Sequence, residues 1–196
     1  MRDDTHARIH IIGGPGGGKT TLARKLAQRT GATVHHLDEL AIDPKTHIAR
    51  PVEVRHAEVR HIASQPSWVT EGVHLGWTEP LLEAADVILW LDYAPWPTAA
   101  RRIVVRFVVD AYREARRRAG RSRYLRFRDY YRHLANLLRA ILESRAYYRS
   151  RQASRRAAGS MQESHVATAA KLAAHQHKVI HCRRPADVDD FLAGFD

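Results

Sequence analysis

The stretch Gly13–Thr21 reads GGPGGGKTT. Five glycines and a proline in nine residues leave little for a helix or a strand to pack with. Its flanks are regular. Arg8–Ile12 (RIHII) is a short β-rich run ending at the glycines, and Leu22–Thr30 carries Leu22, Ala23, Leu26 and Ala27 as the stripe of an amphipathic helix. Between strand and helix, Gly13-x-x-x-x-Gly18-Lys19-Thr20 fits the Walker A pattern. Glycines let successive backbone N–H groups curl inward onto phosphate oxygens, and the helix N-terminus adds its dipole. The expected cradle is Gly13, Gly14, Pro15, Gly16, Gly17, Gly18, Lys19, Thr20 and Thr21. In it Lys19 would reach the β- and γ-phosphates of ATP, and the Thr20 hydroxyl would sit on Mg²⁺. A dinucleotide loop G-x-G-x-x-G starting at Gly14 would need glycine where Lys19 stands. The guanine-reading Asn-Lys-x-Asp motif is excluded, because the one asparagine, Asn136, is followed by Leu137.

With 196 residues, 44% of them hydrophobic, the chain suits one α/β domain spanning 1–196 and is short for two. The opening MRDDTHARIHII has acids where a secretory signal is basic, and no apolar segment follows. The longest apolar run, Val87–Leu91, is far short of a membrane span. Cys182 is the single cysteine, which excludes an internal disulfide. A cytoplasmic protein with no membrane partner is expected. The net charge of +11 is regional. Residues 101–156 hold 18 arginines and no lysine against Asp110, Glu114, Asp129 and Glu143; the remainder holds 14 basic and 17 acidic residues. Such a segment seeks phosphates, on a nucleotide or on a nucleic acid.

Along the rest of the chain, Gly31 closes the first helix and Thr33–Leu37 reads as a second strand. A helix is predicted from Pro51 through Ala63, a turn at Gln65–Ser67, and a third strand, WVT, ending at Glu71-Gly72. A short helix over Leu81–Ala85 precedes VILWL at Val87–Leu91, an apolar strand of the kind buried on both faces. From Thr98 to about Ser150 the sequence reads as long Arg-rich helices separated at Gly120, with Leu134, Leu137, Leu138, Ile141 and Leu142 as the clearest apolar stripe. The segment 150–165 is the best candidate for a mobile connection. Lys178–Cys182 is a last strand, and a terminal helix contains Val188, Phe191 and Leu192. Strands alternating with helices predict a parallel sheet covered on both sides.

HHLDEL at 35–40, WVTEG at 68–72, ADVILWLD at 85–92 and RIVVR at 102–106 occur in the order found in adenylate-kinase-like P-loop kinases. The chain resembles the branch of small bacterial ATP-binding proteins described as topology-modulation or adenylate-kinase-related. The resemblance covers about 1–106 and 177–193; the middle matches only in its Arg-rich character. It implies a three-layer P-loop α/β fold with a five-stranded parallel sheet, order 2-3-1-4-5, and a helical lid inserted over 98–165.

It also implies roles. Asp38 is the acid at the end of strand two facing the phosphoryl acceptor, with Glu39 beside it; an acid at the carboxyl end of a parallel strand is also where ligands sit in open α/β sheets. Asp38 would orient or deprotonate an acceptor hydroxyl or hold a Mg²⁺ water, the plainer alternative being a helix cap or solvated acid. Glu71 occupies the Walker B position, where nucleotide kinases of this kind usually carry Asp-Gly. It would reach Mg²⁺ through water or serve as the base. His74 reads as a surface histidine, with substrate contact as the alternative. Arg102 and Arg106 resemble the arginine pair that opens the lid; at i and i+4 they share a helix face and would offset charge on the transferring phosphoryl group. Arg101 is the register alternative, and Arg113 and Arg116–Arg118 would be further lid arginines. The Arg183-Arg184-Pro185 loop would lie on the adenine, which brings Arg184 into the nucleotide site.

Residues 113–133 interleave arginines with Tyr124, Phe127, Tyr130 and Tyr131. That composition fits a helical lid with a solvated face, a surface for nucleic acid or another polyanion, or an oligomer contact such as a homodimer. His175-x-His177 lacks a matching Cys/His set, so no structural metal is expected. The leading expectation is Mg²⁺-dependent phosphoryl transfer from ATP to a small acceptor; the runner-up is a nucleic-acid-associated ATPase or regulatory protein using 101–156.

Overall fold

Side chains along the strands alternate between two apolar clusters, and that alternation builds the architecture. The computed structural model describes residues 7–43, 46, 48–117, 123–150 and 164–195. Within them β1 (Arg8–Gly13), β2 (Val34–His36), β3 (Trp68–Glu71), β4 (Val87–Leu91) and β5 (Val179–Cys182) form one sheet in the order β2-β3-β1-β4-β5. Every neighbouring pair is parallel. Ile9, Ile11, Leu89 and Leu91 pack on one face with Leu22, Ala23 and Leu26 of α1 (Lys19–Thr30) and Leu192 of α8 (Pro185–Ala193). Ile12, Trp68, Ile88 and Trp90 face the other way. They meet Leu37 of α2 (Leu37–Ala41), Val59 and Ile62 of α3 (Val52–Ala63), Leu81 and Leu82 of α4 (Glu79–Ala84), and Leu172 of α7 (His165–Leu172). The fold is therefore the three-layer P-loop α/β fold with the expected strand order. A sheet buried on both faces explains why VILWL is apolar without interruption.

Element ends follow local chemistry. Gly18, at φ 101°, gives the left-handed turn from which α1 springs, so the helix begins at Lys19, three residues before Leu22. Gly31, at φ 70°, closes it with its amide on the Ala27 carbonyl. β2 is shorter than the predicted Thr33–Leu37, because the fully buried Leu37 opens α2, whose five residues are too few to show a period. Pro51 caps α3 from outside and does not start it.

Between β4 and β5 run α5 (Trp96–Arg117), α6 (Arg123–Arg149), α7 and a 3-10 turn over Ala173–Lys178. Gly120 and most of the predicted connection, 151–163, lie outside the described residues. The α6 stripe is split: Leu134, Leu137 and Ile141 are half-buried, whereas Leu138 and Leu142 are 55% and 63% exposed. The inward anchors of this helix are Ser144, Tyr147 and Tyr148 near its end. Helix α7, absent from the sequence reading, has a standard start in which the Ser164 hydroxyl accepts the Ala167 amide at 3.0 Å. No helix among the described residues is long and apolar enough to cross a membrane.

A buried histidine links stability to pH. His10, 1% exposed in β1, keeps its Nδ1 2.8 Å from the Thr70 hydroxyl. Burial first, then the Lys19 charge, push its pKa from 6.5 down to about 3. Between those values the unfolded chain binds a proton that the native chain refuses, so stability falls as pH drops below 6.5. From pH 7 to pH 5 this single group should remove about 2 kcal/mol. Urea unfolding of the wild type and of His10→Leu at both pH values should show a loss smaller by that amount in the variant; equal losses would assign the pH dependence elsewhere.

Candidate active site

The glycine loop turns at the carboxyl end of β1 with almost no lateral room. A β-carbon on Gly13 would lie 2.5 Å from the Leu91 carbonyl oxygen, and one on Gly16 equally close to that of Ala99. On Gly14 it would meet the rings of Tyr147 and Tyr148 at 2.7–2.8 Å. Gly16, at φ 74°, also needs the left-handed region that glycine enters freely. The Lys19 ammonium donates to the Gly13 and Gly14 carbonyls at 2.9 and 3.1 Å. Two helices reach the loop from outside: the Arg102 guanidinium of α5 donates to the Gly16 carbonyl at 3.3 Å, and the Tyr148 hydroxyl of α6 to that of Pro15 at the same distance. Thr21 is exposed.

Beside the loop, parallel register sets His36 directly against Glu71. The Thr20 hydroxyl donates to Glu71 Oε1 at 2.9 Å, and His36 Nδ1 meets the same oxygen at 2.8 Å. An ionised carboxylate only accepts, so Nδ1 carries the hydrogen. Glu71 is 7% exposed. A second pair crosses the strand ends in the opposite sense: His74 Nε2, from the loop after β3, bonds Asp38 Oδ1, in the first turn of α2, at 2.8 Å. The His74 hydrogen bond, aided by the charges of Lys19 and Arg106, holds the Asp38 carboxyl below its ordinary range while most of that side chain stays open to solvent. His74 packs on Trp77 at 5.1 Å between centroids, and the Arg55 guanidinium lies 5.6 Å from the same indole.

Lys19, Thr20, Glu71, Asp38 and Arg102 thus gather at the carboxyl edge of the sheet, where open α/β sheets bind ligands, and Arg106 lies exposed one turn further along α5. Arg102, and not Arg101, touches the loop. The Arg184 guanidinium binds Asp187 Oδ1 at 2.9 Å at the start of α8. Arg113 pairs with Asp110 at 3.7 Å on its own helix. His74 is not the surface histidine expected, being 17% exposed and bonded to Asp38. The sequence reading missed His36, Tyr147 and Tyr148, and also a triad beside the loop. Asp92 Oδ2 lies 3.0 Å from both His165 Nε2 and His181 Nε2, with His181 stacked 4.0 Å from Trp90. His36 was recoverable once β2 and β3 were taken as neighbours, since both runs end at the same level; the tyrosines and His165 arrive from distant helices that no local pattern marks.

No family model matches the chain, and no curated protein matches it. Among solved structures it is similar to a gluconokinase from Sinorhizobium meliloti 1021, with 15% identity over 97% of this chain and 92% of that one and a TM-score of 0.45. It is also similar to shikimate kinase from Acinetobacter baumannii in complex with shikimate, with 21% identity over 69% and 80% and a TM-score of 0.37. An uncharacterized protein from Eubacterium ventriosum ATCC 27560 matches with 20% identity over 52% of this chain and a TM-score of 0.38; the match spans 65% of that protein, just under two thirds. At these identities and TM-scores the likeness carries no argument, and the fold and the assignment of the site rest on their own geometry.

Gly16→Ala tests the loop. Strain at a left-handed position costs about 1–3 kcal/mol, and the contact with the Ala99 carbonyl adds to it. Chemical unfolding should show a loss of at least that size; unchanged stability would mean that the loop does not hold this conformation.

Proposed function

We propose that the chain is a small-molecule kinase that transfers the γ-phosphoryl group of ATP, with Mg²⁺, to a hydroxyl of a nucleotide, a nucleoside or another small acceptor, as a relative of the adenylate-kinase-like P-loop kinases. The observation that carries this reading is the Thr20–Glu71 contact, which joins the hydroxyl of the glycine loop to a nearly buried acid at the end of the neighbouring strand. Thr20 gives its hydrogen to Glu71, which leaves the hydroxyl lone pairs for a cation. Hydroxyl and carboxylate are the hard oxygen donors that Mg²⁺ takes. Among the described residues no group of three or more His, Cys, Asp or Glu side chains gathers to hold a metal. A cation here would therefore share Thr20 and Glu71 with phosphate oxygens of the substrate. When bound, it offsets charge on those oxygens.

The chain's own groups do the rest. The Lys19 ammonium exchanges the Gly13 and Gly14 carbonyls for phosphate oxygens, leaving neutral acceptors for charged ones. Asp38 stays ionised at neutral pH and accepts the acceptor's hydroxyl hydrogen, held in aim by His74. A carboxylate with so low a pKa is a weak base, so it orients the hydroxyl and takes its proton only as the new bond forms. Arg102 and Arg106 are one turn apart, about 6 Å along the helix. The first touches the loop and the second, on the same helix face, would add its charge beside it. The alternative, an ATPase that binds nucleic acid through 101–156, draws on the exposed arginines Arg101, Arg139 and Arg149.

ATP consumption measured across a panel of hydroxyl acceptors separates the two. The kinase reading expects stimulation by one acceptor; stimulation by DNA or RNA alone, with binding that falls steeply with salt, favours the alternative. Lys19→Ala should lower turnover about 10²–10³-fold, and survival of activity would remove the loop from the chemistry. Asp38→Asn should lower kcat with the KM for ATP unchanged, while a rise in that KM alone would move Asp38 to the nucleotide side.

A further inference from the structure

We infer that His36 is the positioning residue of Glu71, fixing which carboxylate oxygen is presented to a metal-bound water. This inference rests on the kinase reading above. A glutamate at a strand end has three rotatable side-chain bonds and, unanchored, turns either oxygen into the site. Here both donors converge on one of them: the Thr20 hydroxyl at 2.9 Å and the His36 Nδ1–H at 2.8 Å both meet Oε1. Oε2 has no hydrogen-bond partner among the described residues, which makes it the oxygen left to face an incoming cation or its water.

The donors differ in kind. Thr20 belongs to the glycine loop and moves with it, and its hydroxyl is shared with any cation bound there. His36 belongs to the sheet. The β2–β3 ladder pairs it directly with Glu71, so its position is set by backbone hydrogen bonds whether or not a nucleotide is bound. The Glu71 side chain is 9% exposed and the His36 ring 25% exposed, which leaves little space for water to replace the imidazole donor. His74 holds Asp38 across the same two strand ends. Each acid therefore has its own histidine from the opposite strand, and the metal-side and acceptor-side carboxylates are held apart.

The test is the Mg²⁺ dependence of ATP binding, followed by calorimetry for the wild type, His36→Leu, His36→Ala and His36→Asn, with a parallel titration in EDTA. Loss of a hydrogen-bonding partner behind a metal ligand costs about 10–100-fold in metal affinity. The Leu and Ala variants should need at least about tenfold more Mg²⁺ for half-saturation, with ATP affinity in EDTA unchanged. Asparagine, which can place a side-chain N–H at the same spot, should restore most of the loss. A wild-type Mg²⁺ requirement in the variant lacking the donor overturns the inference, and so does an equal shift in all three variants, which would mark His36 as packing only. ATP binding by the wild type that ignores Mg²⁺ altogether would overturn the kinase reading itself, and this inference with it.

Discussion

Four glycines in the phosphate loop, Gly13, Gly14, Gly16 and Gly17, leave no space for a β-carbon, and the rest of the site is arranged around that fact. The end of β4 closes on Gly13, the first turns of α5 on Gly16, and the aromatic end of α6 on Gly14. Side chains are thus excluded from the outer wall of the loop, and whatever the loop holds is held by backbone N–H groups and by Lys19. The same crowding ties the helices between β4 and β5 to the loop: Ala99 is fully buried there and Tyr147 nearly so.

The second organising element is the parallel register of β2 and β3. It sets His36 beside Glu71 and brings Asp38 within reach of His74. Two carboxylates a few residues past neighbouring strand ends would otherwise share one environment. The histidines separate them: Glu71 is nearly buried and bonded to the loop threonine, whereas Asp38 stays open to the cleft. Different surroundings for two acids in one site support different duties for them.

The loop, the strands and the sheet order were legible because each rests on local or periodic signals. Glycine spacing names the cradle, VILWL names a doubly covered strand, and alternation of strands with helices names the layers. What escaped was tertiary. Leu37 looked like a strand residue because it is apolar, yet it opens a five-residue helix. Tyr147, Tyr148 and His165 reach the loop region only because α6 and α7 return to the sheet, and sequence distance hides that. His74 read as a lone polar residue because its partner, Asp38, precedes it by 36 positions.

The surplus of arginine is best weighed on α5, where helical geometry sorts the residues into faces. Ala99 and Ile103, four apart, are buried, and Phe107 continues them half-buried. Arg102, Arg106 and Arg113 share a second face, which begins at the phosphate loop. Val104, Val105, Val108, Val109 and Tyr112 make a third that is exposed, with Arg116 placed 5.8 Å from the Tyr112 ring. A polyanion gains nothing from a row of valines, so backbone phosphates would take the arginine face. On that face Arg102 donates to the Gly16 carbonyl. Arg101 and Arg116 lie on the same side of α5 as Val105, Val108 and Tyr112, away from the face of Arg102.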